Sequence, residues 1–151
     1  MSIFISLFFI LAGFIIGIGA VTVIDIHGLL GRKSAYWTEA TIRTHKVTKP
    51  LIWLGTLLAW VGGVFFYKNI NGFSFYSGLH FILGVILVLN GLFLSFKVSP
   101  FLLKQEKEGR EKELLPKSLQ NKIMFSFLAS FLGWWVSVLL FVQVIVLLIS
   151  R

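Results

Sequence analysis

The chain has 151 residues, 57% of them hydrophobic and 13% charged, with no cysteine and a formal net charge of +8; its mean hydropathy is +0.90. Soluble domains average roughly 25% charged residues, so the composition argues against a water-soluble globule, and the missing cysteines exclude disulfides, thiol catalysis, iron–sulfur clusters and Cys-ligated zinc. Three histidines and six acids leave few groups from which to build a catalytic or metal site.

The first apolar run, Ile3 to Ile24, carries no charge. No Lys or Arg precedes Arg32, so the run lacks the positive start of a signal peptide and reads as an uncleaved first helix. Residues 34–49 read as an amphipathic helical lead-in, with Ser34 as N-cap and Tyr36 and Trp37 at headgroup depth. Pro50 removes a backbone donor and is expected to kink or restart the helix where it enters the membrane. The second run, Leu51 to Tyr67, is the shortest. Asn71-Gly72 is a turn signal, so helices two and three form a hairpin. Phe73 to Phe96 is the third run, with His80 and Asn90 as its strongly polar members. Residues 104–113, KQEKEGREKE, form a charge-mixed, helix-like connector interrupted by Gly109 and bracketed by Pro100 and Pro116. The fourth run, Ile123 to Ile149, is the longest and holds one amide, Gln143.

A helix crosses the hydrocarbon core with about 20 residues, and lipid leaves an unpaired backbone no water to bond. The first, third and fourth runs meet that length, and the second reaches it with Thr48 and Lys49. Barrel strands alternate over about ten residues; these runs are continuously apolar. The expected fold is an all-α membrane protein, an antiparallel bundle of four transmembrane helices forming one domain over residues 1–151. The spans fall at about 3–27, 48–68, 73–97 and 122–150, with loops at 28–47 and 98–121. Of the 14 basic residues, all but Lys68 and Arg151 lie between Arg32 and Lys49 or between Lys97 and Lys122. By the positive-inside rule both loops face the cytoplasm and both termini lie outside a bacterial plasma membrane. The charge therefore marks orientation, and nucleic acid is not an expected partner.

At 100° per residue, each helix gathers small residues on one stripe. Gly13 and Gly17 mark it in helix one, Gly55 and Ala59 in helix two with Gly62 in line. Gly84 and Gly91 mark helix three, and Gly133 helix four beside Ser126, Ser130 and Ser137. Small residues let helices approach closely in lipid. The same stripes, with Trp60, Trp134 and Trp135, also suit a slot for a flat ligand, unless those rings face lipid.

Few groups carry chemistry. His27 lies on the small-residue face of helix one near its loop end, and His45 approaches the same depth from the lead-in. Together they suit bis-histidine ligation of haem b, or a metal site with Asp25 or Glu39, or else hydrogen bonds to headgroups, water and backbone. Asp25 sits at the same interface, where Arg32, Lys33 or a basic group of the next segment is expected to neutralise it, unless it handles a proton, ion or ligand. His80 lies a bilayer away and is expected to bond across helices to Ser or Asn. Asn90 and Gln143, deep in their runs, are expected to glue helices together.

The segments GAVTVIDIHGLLGRK, IRTHKVTKPLIWLGTLLAWVGGVFFY and LNGLFLSFKVSPFL resemble small bacterial four-helix membrane proteins of unknown function. More remotely, they resemble the superfamily of copper-resistance protein D and the membrane-bound protoporphyrinogen oxidase. The likeness covers roughly residues 12–103 and implies a four-helix core in the plasma membrane with haem or copper handling in some members. The oxidase relatives use a His early in helix one and a Lys within helix three. Here residues 3–14 contain no His, and the Lys of helix three is Lys97 at its end. No catalytic residue carries over.

The sequence thus points to a protein without its own catalysis that works by binding. An accessory subunit surrounded by lipid, by other membrane proteins or by its own copies comes first. A haem- or metal-binding bundle using His27 and His45, and a small transporter using Asp25 and His27, are the alternatives.

Overall fold

Backbone amides that find no water in lipid must bond within their own helix, and the apolar runs do so. The computed structural model describes residues 1–70 and 74–150. It contains α1 (Ile3–Leu30), α2 (Ala35–Asn69), α3 (Ser74–Phe93), a π-helical turn at Leu94–Val98, α4 (Ser99–Lys107) and α5 (Lys117–Ile149). Among the described residues there is no strand. Four helices, the third counted from Ser74 through Lys107, are long and apolar enough to cross a membrane. Asn71-Gly72 and Arg151 lie outside the described residues.

Serines start the first two helices. Ser2 Oγ accepts from the Ile5 N–H at 3.3 Å, and Ser34 Oγ accepts from Trp37 N–H at 3.5 Å. Between them the expected 28–47 loop shrinks to residues 31–34. The lead-in and the second span are a single helix of 35 residues, which runs through Pro50 without restarting. Tertiary contacts hold its loop-end half in place. Thr38 Oγ1 donates to Gly31 O at 2.8 Å, Lys46 pairs with Glu106 at 2.7 Å, and Ile42 is fully buried against Val98 and Leu102. One missing hydrogen bond at Pro50 does not outweigh these.

The other proline leaves a clearer trace. Pro100 has no N–H to offer the carbonyl of Phe96, and its ring crowds that carbonyl. The chain responds by widening one turn, so that Ser99 N–H bonds to Leu94 O, five residues back. After α4, Gly109 takes φ +68° and turns the chain into the connector, where Arg110 pairs with Glu108 and Glu113.

Two pairings build the body. Contacts between α1 and α2 match rising numbers on one with falling numbers on the other. A Cβ on Gly13 would lie 2.5 Å from Ala59 N, one on Gly55 2.6 Å from Gly17 N, and one on Gly62 2.7 Å from Ile10 N. These glycines are where two backbones touch. α3 and α5 are joined by polar groups: Asn90 Nδ2 donates to Ser126 O at 3.0 Å and Ser130 Oγ at 2.8 Å, and Ser126 Oγ donates to Asn90 Oδ1 at 2.6 Å. Gln143, expected to share that duty, lies on the exposed face of α5 instead. The main core packs Phe14, Phe66, Trp134, Phe141 and Val144. A smaller cluster of Ile42, Val98 and Leu102 closes the end where the α1–α2 and α4–α5 connections lie, the loop end. Large side chains such as Phe4, Ile15 and Phe125 face outward, as lipid-facing positions do.

Candidate functional site

At the loop end α1, α2, the π-helical turn and α5 leave a cavity of about 100 Å³. Asp25 lines it from α1 and His45 and Lys49 line it from α2. Among the described residues, each of the first two keeps a buried polar atom with no hydrogen-bond partner, Asp25 Oδ2 and His45 Nε2. Among the described residues Asp25 makes no salt bridge, so the expected pairing with Arg32 or Lys33 does not form. Those two cations sit seven and eight residues further on, past the end of α1, or about 10 Å along a helix axis. Arg32 still lines the same cavity.

The widened turn shapes the opposite wall. Ser95 Oγ accepts from Trp53 Nε1–H at 3.2 Å, and Ser99 Oγ accepts from Lys49 Nζ at 3.3 Å. Both serines belong to the segment that Pro100 distorts, so a backbone defect orients two of the α2 side chains on the cavity. Lys49, Trp53 and Ser95 escaped the sequence reading. The signal is Pro100, five residues after Ser95 in the third run.

The structure separates the two histidines paired in the sequence reading. His27 Nδ1 lies 3.1 Å from Thr44 Oγ1, and its ring sits 5.1 Å from that of Trp37. Thr44 and His45 are neighbours on α2, so they share a depth but point about 100° apart. His27 therefore meets α2 on one side while His45 turns to the cavity. Among the described residues no group of three His, Cys, Asp or Glu side chains is gathered for a metal. Glu39 is engaged by Arg43 one turn along.

A haem between His27 and His45 does not fit this geometry. The cavity on His45 holds about 100 Å³, whereas pockets for small organic ligands run about 300–1,000 Å³, and His27 does not line it.

Two further cavities continue through the bundle. One of about 40 Å³ has Asp25, Thr56, Ser130 and Trp134 on its walls. The other, about 450 Å³, shares Thr56 and Trp134 with it and reaches Tyr67 and His80 near the opposite end. His80 does bond across helices, to the backbone of Ser137 rather than a hydroxyl: Nε2 lies 2.9 Å from Ser137 O. Nδ1 lies 2.6 Å from the Tyr67 hydroxyl and 3.2 Å from Tyr76 O; with the proton on Nε2, facing Ser137 O, Nδ1 accepts from Tyr67. Tyr67, read only as the end of a span, is the missed member of this pair.

The remaining stripe residues are packing positions with differing neighbours. Gly17 faces the Trp134 indole, Gly84 that of Trp60, Gly91 that of Trp53, and Gly133 faces Leu87. Comparison with protein-family models, with curated proteins and with solved structures finds no match to this chain.

Proposed function

We propose that the chain is a small multi-pass protein of a bacterial plasma membrane that acts by binding, as an accessory subunit of a membrane assembly, and that its ligand seats at Asp25. The observation that carries this is the pair of partnerless buried atoms, Asp25 Oδ2 and His45 Nε2, on the wall of one cavity. A buried polar group left unsatisfied costs about 1–3 kcal/mol, more when charged, and an ionisable residue in a membrane helix marks a ligand or ion path. Asp25 calls for a donor or a positive group, while Arg32 and Lys49 on the same cavity call for an acceptor or an acid. A small zwitterion answers both, and about 100 Å³ admits only a small one.

The orientation in this reading rests on charge. The basic residues concentrate in the connections at the loop end, which puts that end in the cytoplasm and both termini outside an antiparallel bundle. The accessory role draws support from α3 and its continuation, of whose apolar window 6% is buried against 22% to 33% in the other spans. Melting of the detergent-purified protein with glycine, β-alanine, methylamine or acetate tests the ligand. The zwitterions raise the midpoint of the wild type and not of Asp25→Asn. Equal shifts in both proteins remove Asp25 as the binding group.

A second reading, transport through Asp25, draws on the shared walls. Asp25 lines both the loop-end cavity and the 40 Å³ cavity beneath it, and the latter shares Trp134 and Thr56 with the cavity beyond. Uptake of the same zwitterions into proteoliposomes tests it. Uptake that persists in Asp25→Asn takes the carboxylate out of the mechanism.

A further inference from the structure

The 450 Å³ cavity near the termini is built differently from the one on Asp25. Among the described residues no Lys, Arg, Asp or Glu lines it. Its walls are rings: Phe14, Trp60, Phe81, Trp134 and Phe141. A charged ligand would leave its hydration shell there without an ionic partner, so the occupant is neutral. Aromatic walls give flat rings a favourable offset-stacked or edge contact that a saturated chain does not obtain. The volume falls within the roughly 300–1,000 Å³ typical of small-ligand sites.

One donor remains for such a ring, since the Thr56, Ser77 and Ser137 hydroxyls on the same walls donate to carbonyls of their own helices. Among the described residues, the Trp60 indole N–H has no hydrogen-bond partner, and Gly84 makes the space into which that nitrogen reaches, 2.7 Å from where a Cβ would stand. It is a donor waiting for an acceptor. The Tyr67 hydroxyl is engaged by His80 Nδ1, so Trp60 is the donor left for a ring carbonyl. His80 itself is held at both nitrogens, by Tyr67 and Tyr76 O at Nδ1 and by Ser137 O at Nε2. It therefore positions Tyr67 and is not offered to a metal.

The glycines supply an independent observation. Gly13, Gly55 and Gly62 are required because backbones meet there. A Cβ on Gly63 or Gly78 would meet nothing within 4 Å, and both residues line this cavity. At these positions the missing side chains serve no close helix contact. What they leave is room.

From these features we infer that the aromatic cavity between α2, α3 and α5 binds a neutral ring ketone of the quinone class drawn from the bilayer, with a ring carbonyl accepting from Trp60. This site is separate from Asp25 and does not depend on it.

Quenching of tryptophan fluorescence by decyl-benzoquinone, measured on the full-length protein in nanodiscs, provides the test. Saturable quenching is expected, with Kd raised at least tenfold in Gly63→Leu and in Gly78→Leu, at positions where a Cβ meets nothing within 4 Å. Trp60→Phe weakens binding several-fold, and Asp25→Asn leaves Kd unchanged. Competition by 1-decanol as strong as by the quinone assigns the cavity to lipid tails and overturns the proposal. So does quenching that never saturates, or an unchanged Kd in both glycine variants. If one glycine variant fails to fold, the other and the decanol competition still decide.

Discussion

Asp25 on α1 and His45 on α2 face one cavity, and each keeps a buried polar atom, Oδ2 and Nε2, without a partner among the described residues. Two elements thus contribute unsatisfied groups to the same small space. Folding alone gains nothing from that arrangement, since each such group carries a desolvation penalty.

It follows that removing the carboxyl stabilises the empty protein. Asp25→Leu is expected to raise its stability by about 1–3 kcal/mol, the penalty of an unsatisfied buried group, while ligand-induced melting shifts disappear. Equilibrium unfolding in mixed micelles measures it. A destabilised Asp25→Leu would mean that the carboxyl has a partner in the folded state.

Glycine substitutions should divide into two sets. Gly13→Ala, Gly55→Ala and Gly62→Ala push a methyl into backbone atoms of the facing helix and should each cost about 1–3 kcal/mol as overpacking. Gly19→Ala and Gly28→Ala meet nothing within 4 Å, and should be neutral or gain about 0.5–1 kcal/mol from helix propensity. Unfolding midpoints of the five variants, measured side by side, check the division.

Of the two intramembrane amides only one is tied to a neighbouring helix. Asn90→Leu loses its bonds to Ser126 and Ser130 and should cost about 0.6–2 kcal/mol, the range for interhelical bonds in membranes. Gln143→Leu, on an exposed face of α5, should be neutral or stabilising in lipid. The reverse order in unfolding experiments would place Gln143, not Asn90, at a helix contact.

With no native cysteine, the orientation is open to single-cysteine labelling. Ser2→Cys and Ser150→Cys should react with an impermeant maleimide in intact spheroplasts, and Lys112→Cys only after the membrane is opened. Labelling of Lys112→Cys in sealed spheroplasts would invert the topology.

Several site features were legible before any fold was known. Asp25 stands out in the sequence as a carboxylate at the end of an apolar run, and His80, inside such a run, bonds across helices as expected. The pairing of His27 with His45 was drawn from depth alone. Depth follows from counting residues along one helix, but the direction a ring faces depends on where the neighbouring helix stands. Thr44 and His45 differ by one residue and about 100°, and that angle sends His27 to Thr44 and His45 to the cavity. Gln143 was misjudged for the same reason: an amide within an apolar run signals a helix contact only on a buried face.

Composition and run length sufficed for the four-helix membrane character, because hydrocarbon thickness and backbone satisfaction act on each segment separately. Relations between segments needed the tertiary structure. It decided that α2 continues through Pro50, since Ile42, Thr38 and Lys46 are held by other parts of the fold. It decided that Gly62 is a backbone contact while Gly63 beside it opens on a cavity, since that depends on what stands opposite. It also joined Tyr67 to His80. Hydrophobic length is a property of one helix; a site is a property of several, and only their packing brings its atoms together.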